Sequence, residues 1–324
     1  MEKKLYDVVA LGELLIDFTL NGYSSQGNPV YEANPGGAPC NVLAMLRKLG
    51  KSCAFIGKVG DDIYGHQLSE VLCQVGIPIE YLLMDKNMRT TLAIVQNNKN
   101  GDREFSFYRN PGADMMLREE EIPEEVLKTC KIFHFGTLSM THPEVCEATR
   151  KAVKIAKEAG SLISFDPNLR PPLWDSLESA KERIMEGLGY CDILKIADNE
   201  LEFMTGETDF HKGALLLQSQ FPNIRLLNVT AGAEGSYCLY KEQWFFVPGF
   251  CLGGTIETTG AGDTFCASVL NFVLENGLED LSAEQLKQML QFANAAAYLV
   301  TTRKGAIRSM PEKEQVLALL KFSV

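Results

Sequence analysis

The sequence predicts an α/β protein: one large, mostly parallel sheet covered by helices on both faces, with a small β-sheet lid beside it. Three observations carry this. Short apolar runs alternate with amphipathic stretches along most of the chain, the pattern of strands joined by crossover helices. Two stretches, approximately 18–33 and 88–110, interrupt the alternation with polar, strand-like sequence. Glycine clusters also recur where a loop becomes a helix, at Gly36-Gly37 and at Gly260-Ala261-Gly262. Residues 1–324 therefore read as one α/β domain with two lid inserts.

The first element, 6–12, is a short apolar run closed by glycine and suits a buried parallel strand. Glu13 and Asp17 follow at its carboxyl end, the edge where open α/β sheets bind ligands. Position alone leaves ligand contacts and solvated loop acids equally open. Asn34-Pro35-Gly36-Gly37-Ala38-Pro39-Cys40-Asn41 opens a helix to Leu49, stopped by Gly50. A strand over 53–59 and a helix over 63–75 come next.

The second insert reads as a hairpin: strands over 91–95 and 103–108 joined by a turn over 97–101. Its alternating Leu92, Ile94, Phe105 and Phe107 would leave one sheet face exposed unless a partner covers it, so a homodimer through the lid is expected. Strands over 132–135, 162–165, 193–196 and 225–229 then alternate with helices over 143–159, 177–188, 199–205 and 212–220. Three loops at strand ends carry polar residues: 166–170, 197–200 and 230–235. Each alone is an ordinary connection; gathered on one edge they would form an active-site rim.

The decisive stretch is 253–265. Phe265, Val269, Phe272 and Val273 fall on one helical face, so Gly260 to Gly262 mark a helix N-terminus. There the first N–H groups lack intrahelical partners and the helix dipole favours an anion. Asp263 would repel a phosphate unless its task is to take a proton from the group attacking it. An ordinary acidic first-turn residue is the competing reading.

Composition narrows the classes. A chain with 46% hydrophobic and 23% charged residues is globular, and a formal charge of −11 argues against nucleic acid as partner. No run approaches a membrane span or a secretory signal. Nine scattered cysteines, without zinc spacing, fit free thiols in a reducing compartment, so a cytoplasmic location is expected.

The motifs Pro35-Gly36-Gly37-Ala38-Pro39-Cys40-Asn41 and Glu257-Thr258-Thr259-Gly260-Ala261-Gly262-Asp263 resemble the paired signatures of the ribokinase-like (PfkB) carbohydrate kinases. The resemblance covers nearly the whole chain and implies a ribokinase-like fold. Phe107-Tyr108-Arg109-Asn110-Pro111-Gly112-Ala113-Asp114 and the stretch from Asp166 to Trp174 look like fructokinases. It implies an ATP-dependent sugar kinase making D-fructose 6-phosphate from D-fructose. The alternatives are a 2-keto-3-deoxygluconate kinase, a ribokinase-type kinase of another sugar, or a non-catalytic sugar- and nucleotide-binding protein.

The resemblance also implies roles. Asp263 would be the general base, Gly260, Ala261 and Gly262 the anion hole, and Arg170 the phosphate contact. Asp17, Gly36, Gly37 and Asn41 would bind the sugar, with Arg109 reaching it from the lid. Thr230, Gly232, Gly235 and Asn294 would bind ATP, and Glu200 would meet Mg²⁺ through water. Glu257, Thr259, Val300, Arg303, Gly305 and Ser309 occupy the positions of a K⁺ site. Glu257 stands where aspartate is usual, and Ala197 where the Mg²⁺-organising loop commonly has asparagine.

Overall fold

Val8, Val9, Ala10 and Leu11 expose no surface, so the first strand, β1 (Tyr6–Leu11), is apolar on both faces. The structure, a computed structural model, describes residues 4–97 and 103–322; the side chains at 96, 97 and 103–105 lie outside that description. Along the chain follow β2 (Leu15–Tyr23), β3 (Pro29–Gly36), α1 (Ala38–Lys48), β4 (Cys53–Gly60), α2 (Ile63–Gln74), β5 (Leu82–Asp85), β6 (Leu92–Asn97) and β7 (Arg103–Tyr108). Next come α3 (Glu124–Lys128), β8 (Cys130–Gly136), α4 (Pro143–Glu158), β9 (Leu162–Asp166), α5 (Leu177–Tyr190), β10 (Ile193–Ala197), α6 (Asp198–Thr205), α7 (Phe210–Gln220) and β11 (Leu226–Thr230). The chain ends with β12 (Gly235–Tyr240), β13 (Gln243–Pro248), α8 (Ala261–Asn276), α9 (Ala283–Thr301) and α10 (Lys313–Phe322).

The large sheet runs β13-β12-β11-β10-β9-β8-β1-β4-β5. Every pair from β11 to β5 is parallel, and β12 and β13 extend one edge antiparallel. Alternate residues of β1 enter opposite cores. Val8 and Ala10 pack with α1, α8 and α9, whereas Val9 and Leu11 pack with α4 and the aromatic cluster of Phe133, Phe135 and Phe165. Sequence and structure agree on this doubly covered sheet. The antiparallel pair β12 and β13 was not anticipated.

Both inserts join one small sheet, ordered β3-β2-β6-β7. The hairpin register corrects one expectation. Leu92 pairs with Tyr108, Ala93 with Phe107 and Val95 with Phe105, so the even-numbered apolar residues of β6 do not share a face with Phe107. Leu92, like Phe18, packs against the main core. Phe107 instead lines the cleft described below. Leu92 and Ile94 therefore do not form one continuous exposed face with Phe107; the side chain of Phe105 lies outside the described residues. The turn expected at 97–101 falls largely on 98–101, outside the described residues.

Helix starts separate into two kinds. Asp62, Ser176, Asp209 and Ser282 cap α2, α5, α7 and α9 with side-chain oxygens, satisfying orphan N–H groups. At α8 the cap is Gly260 in a left-handed conformation, which offers no side chain at all. That end is left open to a ligand.

Candidate active site

The open end of α8 lies at the carboxyl edge of the large sheet, under the small one. Between them is a cavity of about 300 Å³. Its floor comprises Gly260, Gly262, Asp263, Lys195 and Arg170; Gly37, Ala38 and Asn41 from the start of α1 form a wall; Asp17 and Phe107 face it from the small sheet. Residues from 13 to 263 thus converge because parallel strands deliver their carboxyl ends to one edge.

Asp263 is in the first turn of α8 and almost buried. Its Oδ2 accepts a hydrogen bond of 2.7 Å from Asn41 Nδ2. Burial pushes its carboxyl up to about 6, Asp166 adds to the rise, and the Asn41 bond, Lys195 and Arg170 oppose it. A carboxylate poised there is ionised at neutral pH yet a stronger base than a surface aspartate. Asn41 Oδ1 is buried and has no partner among the described residues, so an acceptor is available to a ligand hydroxyl.

The start of α8 offers fewer free amides than the motif implies. The Ala261 N–H donates to Thr258 O at 3.3 Å, and the Thr264 N–H to Gly260 O. The Gly262 and Asp263 amides remain as the orphan donors of the first turn. Gly262 has a steric duty as well: a Cβ there would approach Lys195 Nζ to 3.1 Å.

Arg170 lines the cavity, on the loop after β9. That loop is held by Glu200, whose Oε1 accepts from Leu169 N at 2.6 Å and Oε2 from Ala197 N at 2.8 Å. Glu200 is thus a buried brace that keeps one lone pair per oxygen, enough to meet the water shell of Mg²⁺.

Arg109 departs from expectation. It is buried and does not line the cavity. Its Nε donates to Asp114 at 2.7 Å, Nη1 to Thr141 Oγ1 at 2.8 Å and Nη2 to Leu138 O at 2.9 Å. These bonds fasten the root of the small sheet to the large unit. Gly36 also stands behind the site: a Cβ there would lie 2.5 Å from Asp17 Oδ2.

Thr230, Gly232 and Gly235 form the turn between β11 and β12, beyond the cavity. Asn294 on α9 is brought toward them, for its Nδ2 donates to Val247 O at 3.0 Å and Pro248 O at 3.2 Å, and Pro248 pairs with Gly235. Beneath the α8 start, Glu257 Oε1 accepts from the Thr259 hydroxyl at 2.6 Å and Oε2 from Gly305 N at 3.1 Å. Val300 O accepts from Arg303 N, and Ser309 Oγ donates to Lys304 O. The cluster is built of hard oxygen atoms, which suit a monovalent cation, although the Glu257 carboxylate already bridges the two loops.

Two residues were missed or left without a role. Lys195 was not singled out, and its signal was a lysine inside an otherwise apolar strand. Glu13 was noted only as a strand-end acid. It is buried, accepts from Ala38 N at 2.7 Å and is pushed by burial up to about 7.

Comparison with known proteins follows the same lines. The family model for pfkB family carbohydrate kinases matches residues 6–313. Probable fructokinase-2 of Arabidopsis thaliana is 42% identical over 320 residues, covering 98% of this chain and 96% of that protein. The structure of fructokinase with bound ATP from Xylella fastidiosa superposes with a TM-score of 0.89 at 29% identity, covering 98% of this chain and 99% of that one. A fructokinase double mutant from Vibrio cholerae O395, solved with fructose, ADP and potassium ion, gives a TM-score of 0.87 at 28% identity, covering 99% and 100% of the two chains.

Proposed function

The chain belongs to the pfkB family of carbohydrate kinases, and from that premise we propose that it is an ATP-dependent fructokinase: ATP + D-fructose → ADP + D-fructose 6-phosphate. The observation that carries this reading is Asp263, a nearly buried carboxylate at an uncapped helix start, held by Asn41 in a cavity with Arg170. Fructokinases at 42% identity and one solved with fructose and ADP support the acceptor.

In this proposal the sugar lies between Asp17, Gly37 and Asn41. Asp263 takes the proton of the attacking hydroxyl, and the Gly262 and Asp263 amides meet charge on the transferred phosphoryl group. The phosphoryl leaves ADP and bonds to the sugar oxygen, with Arg170 beside its path. Thr230, Gly232, Gly235 and Asn294 hold the nucleotide. Mg²⁺ would accompany ATP and neutralise phosphate charge, and Glu200 would meet its water shell. Glu257, Thr259, Val300, Arg303, Gly305 and Ser309 would hold K⁺.

The assembly proposed is a homodimer through the small sheet, at the outer ends of β2 and β3, where Leu20, Tyr23 and Val30 are exposed. Only monomer in sedimentation at micromolar concentration would remove it. A cytoplasmic location is supported by nine free cysteines, seven of them buried, and no helix among the described residues is long and apolar enough to cross a membrane.

The test is a coupled ADP-release assay with Mg-ATP over a panel of sugars, with and without K⁺. Fructose should give much the highest kcat/KM. Turnover only on ketodeoxygluconate or ribose would keep the chemistry and reject the acceptor; silence on every sugar would reject the kinase reading.

A further inference from the structure

Lys195 lies inside β10 between Leu194 and Ile196, both fully buried. A lysine is rarely buried so deeply unless it is paired. Here the partner is Asp166 at the end of β9, whose Oδ1 and Oδ2 are 3.2 and 3.1 Å from Nζ. Only 8% of the lysine side chain and 2% of the aspartate side chain are accessible. An ion pair of this kind costs desolvation on both sides and is weak evidence of a purely stabilising role.

The placement says more. The pair lies at the one edge of the sheet that faces the cavity, and Lys195 is among the residues lining it. Its ammonium is directly under the anion hole, since a Cβ on Gly262 would come to 3.1 Å of Nζ. Asp166 uses one of the three ammonium donors in a hydrogen bond, and the other two have no hydrogen-bond partner among the described residues. The surrounding charges are Asp166 on β9, Glu200 on α6 and Asp263 on α8, each of which favours the charged lysine, although burial opposes it.

We propose that Lys195 is a second cation for the transferred phosphoryl group, contacting it from beneath the α8 amides while Arg170 meets it from the loop. Asp166 is its positioning residue. The proposal rests on the kinase reading above. Lys195 stays protonated throughout: the sugar O–P bond forms, the bond from phosphorus to the ADP oxygen breaks, and the only proton moved goes from the sugar hydroxyl to Asp263. The ammonium stabilises charge that develops during transfer, so its effect falls on kcat rather than on substrate binding.

A structural role would leave different marks, and three variants separate the two. Lys195→Met should lower kcat by about 10²–10³-fold with both KM values changed by less than about threefold. It leaves Asp166 buried without its cation, so folding is checked by thermal denaturation. The double variant Lys195→Met/Asp166→Asn removes both charges of the pair; it should fold and remain as slow as the single variant. Asp166→Asn alone keeps the cation and should lose less than about tenfold in kcat.

The pH profile gives an independent readout. Asp263 faces Asn41 from α1, Asp166 from β9, Lys195 from β10 and Arg170 from the loop between them. Loss of the lysine should move the acid limb of kcat/KM to higher pH in the single variant. A folded double variant with kcat within about threefold of wild type would overturn the proposal, as would Asp166→Asn as slow as Lys195→Met. In either case wild-type turnover on a sugar would leave the kinase reading standing. A wild type silent on every sugar would overturn both.

Discussion

The two sides of the cavity are built by opposite means. The side assigned to phosphate belongs to the large sheet: Gly260, Gly262, Asp263, Lys195 and Asp166 come from strand ends and one helix start, and the three charged side chains are buried, Lys195 paired with Asp166 and Asp263 bonded to Asn41. The sugar side is carried by a separate four-stranded sheet whose outer ends are exposed. Asp17 sits there on β2, between Asn34 of β3 and Ala93 of β6. A division of labour is expected, with the phosphoryl chemistry on the buried side and acceptor selection on the more exposed side. If so, substitutions on the first side should strike kcat, and those on the second the sugar KM.

The largest effect should come from Asp263→Asn, with kcat lower by about 10²–10⁴-fold and sugar and ATP binding nearly intact. Near-normal turnover would overturn the assignment of the base. The wild-type kcat/KM should fall tenfold per pH unit below about 6, where Asp263 takes up its proton. Stability should move the other way. The carboxyl rises from 3.8 in a free chain to about 6 when folded, so the folded protein binds the proton more tightly. Ionisation therefore weakens the fold as pH rises through that window, and the full cost is present at pH 7. Asp263→Asn should recover up to about 3 kcal/mol at pH 7, and little below the unfolded value. Thermal denaturation at pH 7 and pH 3.5 would test the sign.

Arg109→Met tests the joint between the two sides. It should destabilise the protein by about 3–5 kcal/mol, because Asp114 is left buried without its cation. If Arg109 instead served the sugar directly, the melting temperature would hold and the sugar KM alone would rise.

The phosphate side was the more legible in sequence, for a physical reason. Gly260-Ala261-Gly262-Asp263 states its conformation locally: a left-handed glycine, a helix start and an acid in the first turn are all properties of adjacent residues. The pairing of Lys195 with Asp166 is written nowhere locally, since it arises only when β9 and β10 lie side by side. A charged residue in a buried apolar strand was the one available sign. Lys58, inside β4 and paired with Glu121, carries the same sign. The small sheet was visible as two strand-like inserts, but register decides which residues share a face, and alternation within single strands does not fix register. That is why Phe107 was expected on an outer surface and lies at the cleft. The anchoring of Arg109 was not legible because Thr141 and the Leu138 carbonyl, which hold it, are distant in sequence.

Gly36→Ala would sharpen the comparison on the sugar side. Its new Cβ would meet Asp17 Oδ2 at 2.5 Å and displace the carboxylate without touching the phosphate side. The sugar kcat/KM should fall by about 10–100-fold, mostly through KM, with the KM for ATP unchanged. An equal loss in kcat at saturating sugar would show that the two sides do not divide the work.

The smallest effect concerns the loops below the anion hole. Glu257 joins the Thr259 hydroxyl to the Gly305 N–H, so the segment leading into Gly260 is tied to the segment after α9 by protein atoms alone. Where an aspartate stands, one methylene shorter, a cation has more of that tie to supply. K⁺ should therefore raise kcat by less than about tenfold over tetramethylammonium, roughly the worth of one or two hydrogen bonds. Glu257→Asp should withdraw the carboxylate from Gly305 and deepen the dependence on K⁺, while activity at saturating K⁺ stays within a few-fold of wild type. Stopped or steady-state rates over a K⁺ titration of both proteins decide this. A wild type that needs K⁺ by two orders of magnitude, with Glu257→Asp unchanged, would mean that the ion and not the longer carboxylate holds the loops. The phosphate side would then be rigid only when the ion is bound, and the contrast with the small sheet would be one of ligation rather than of construction.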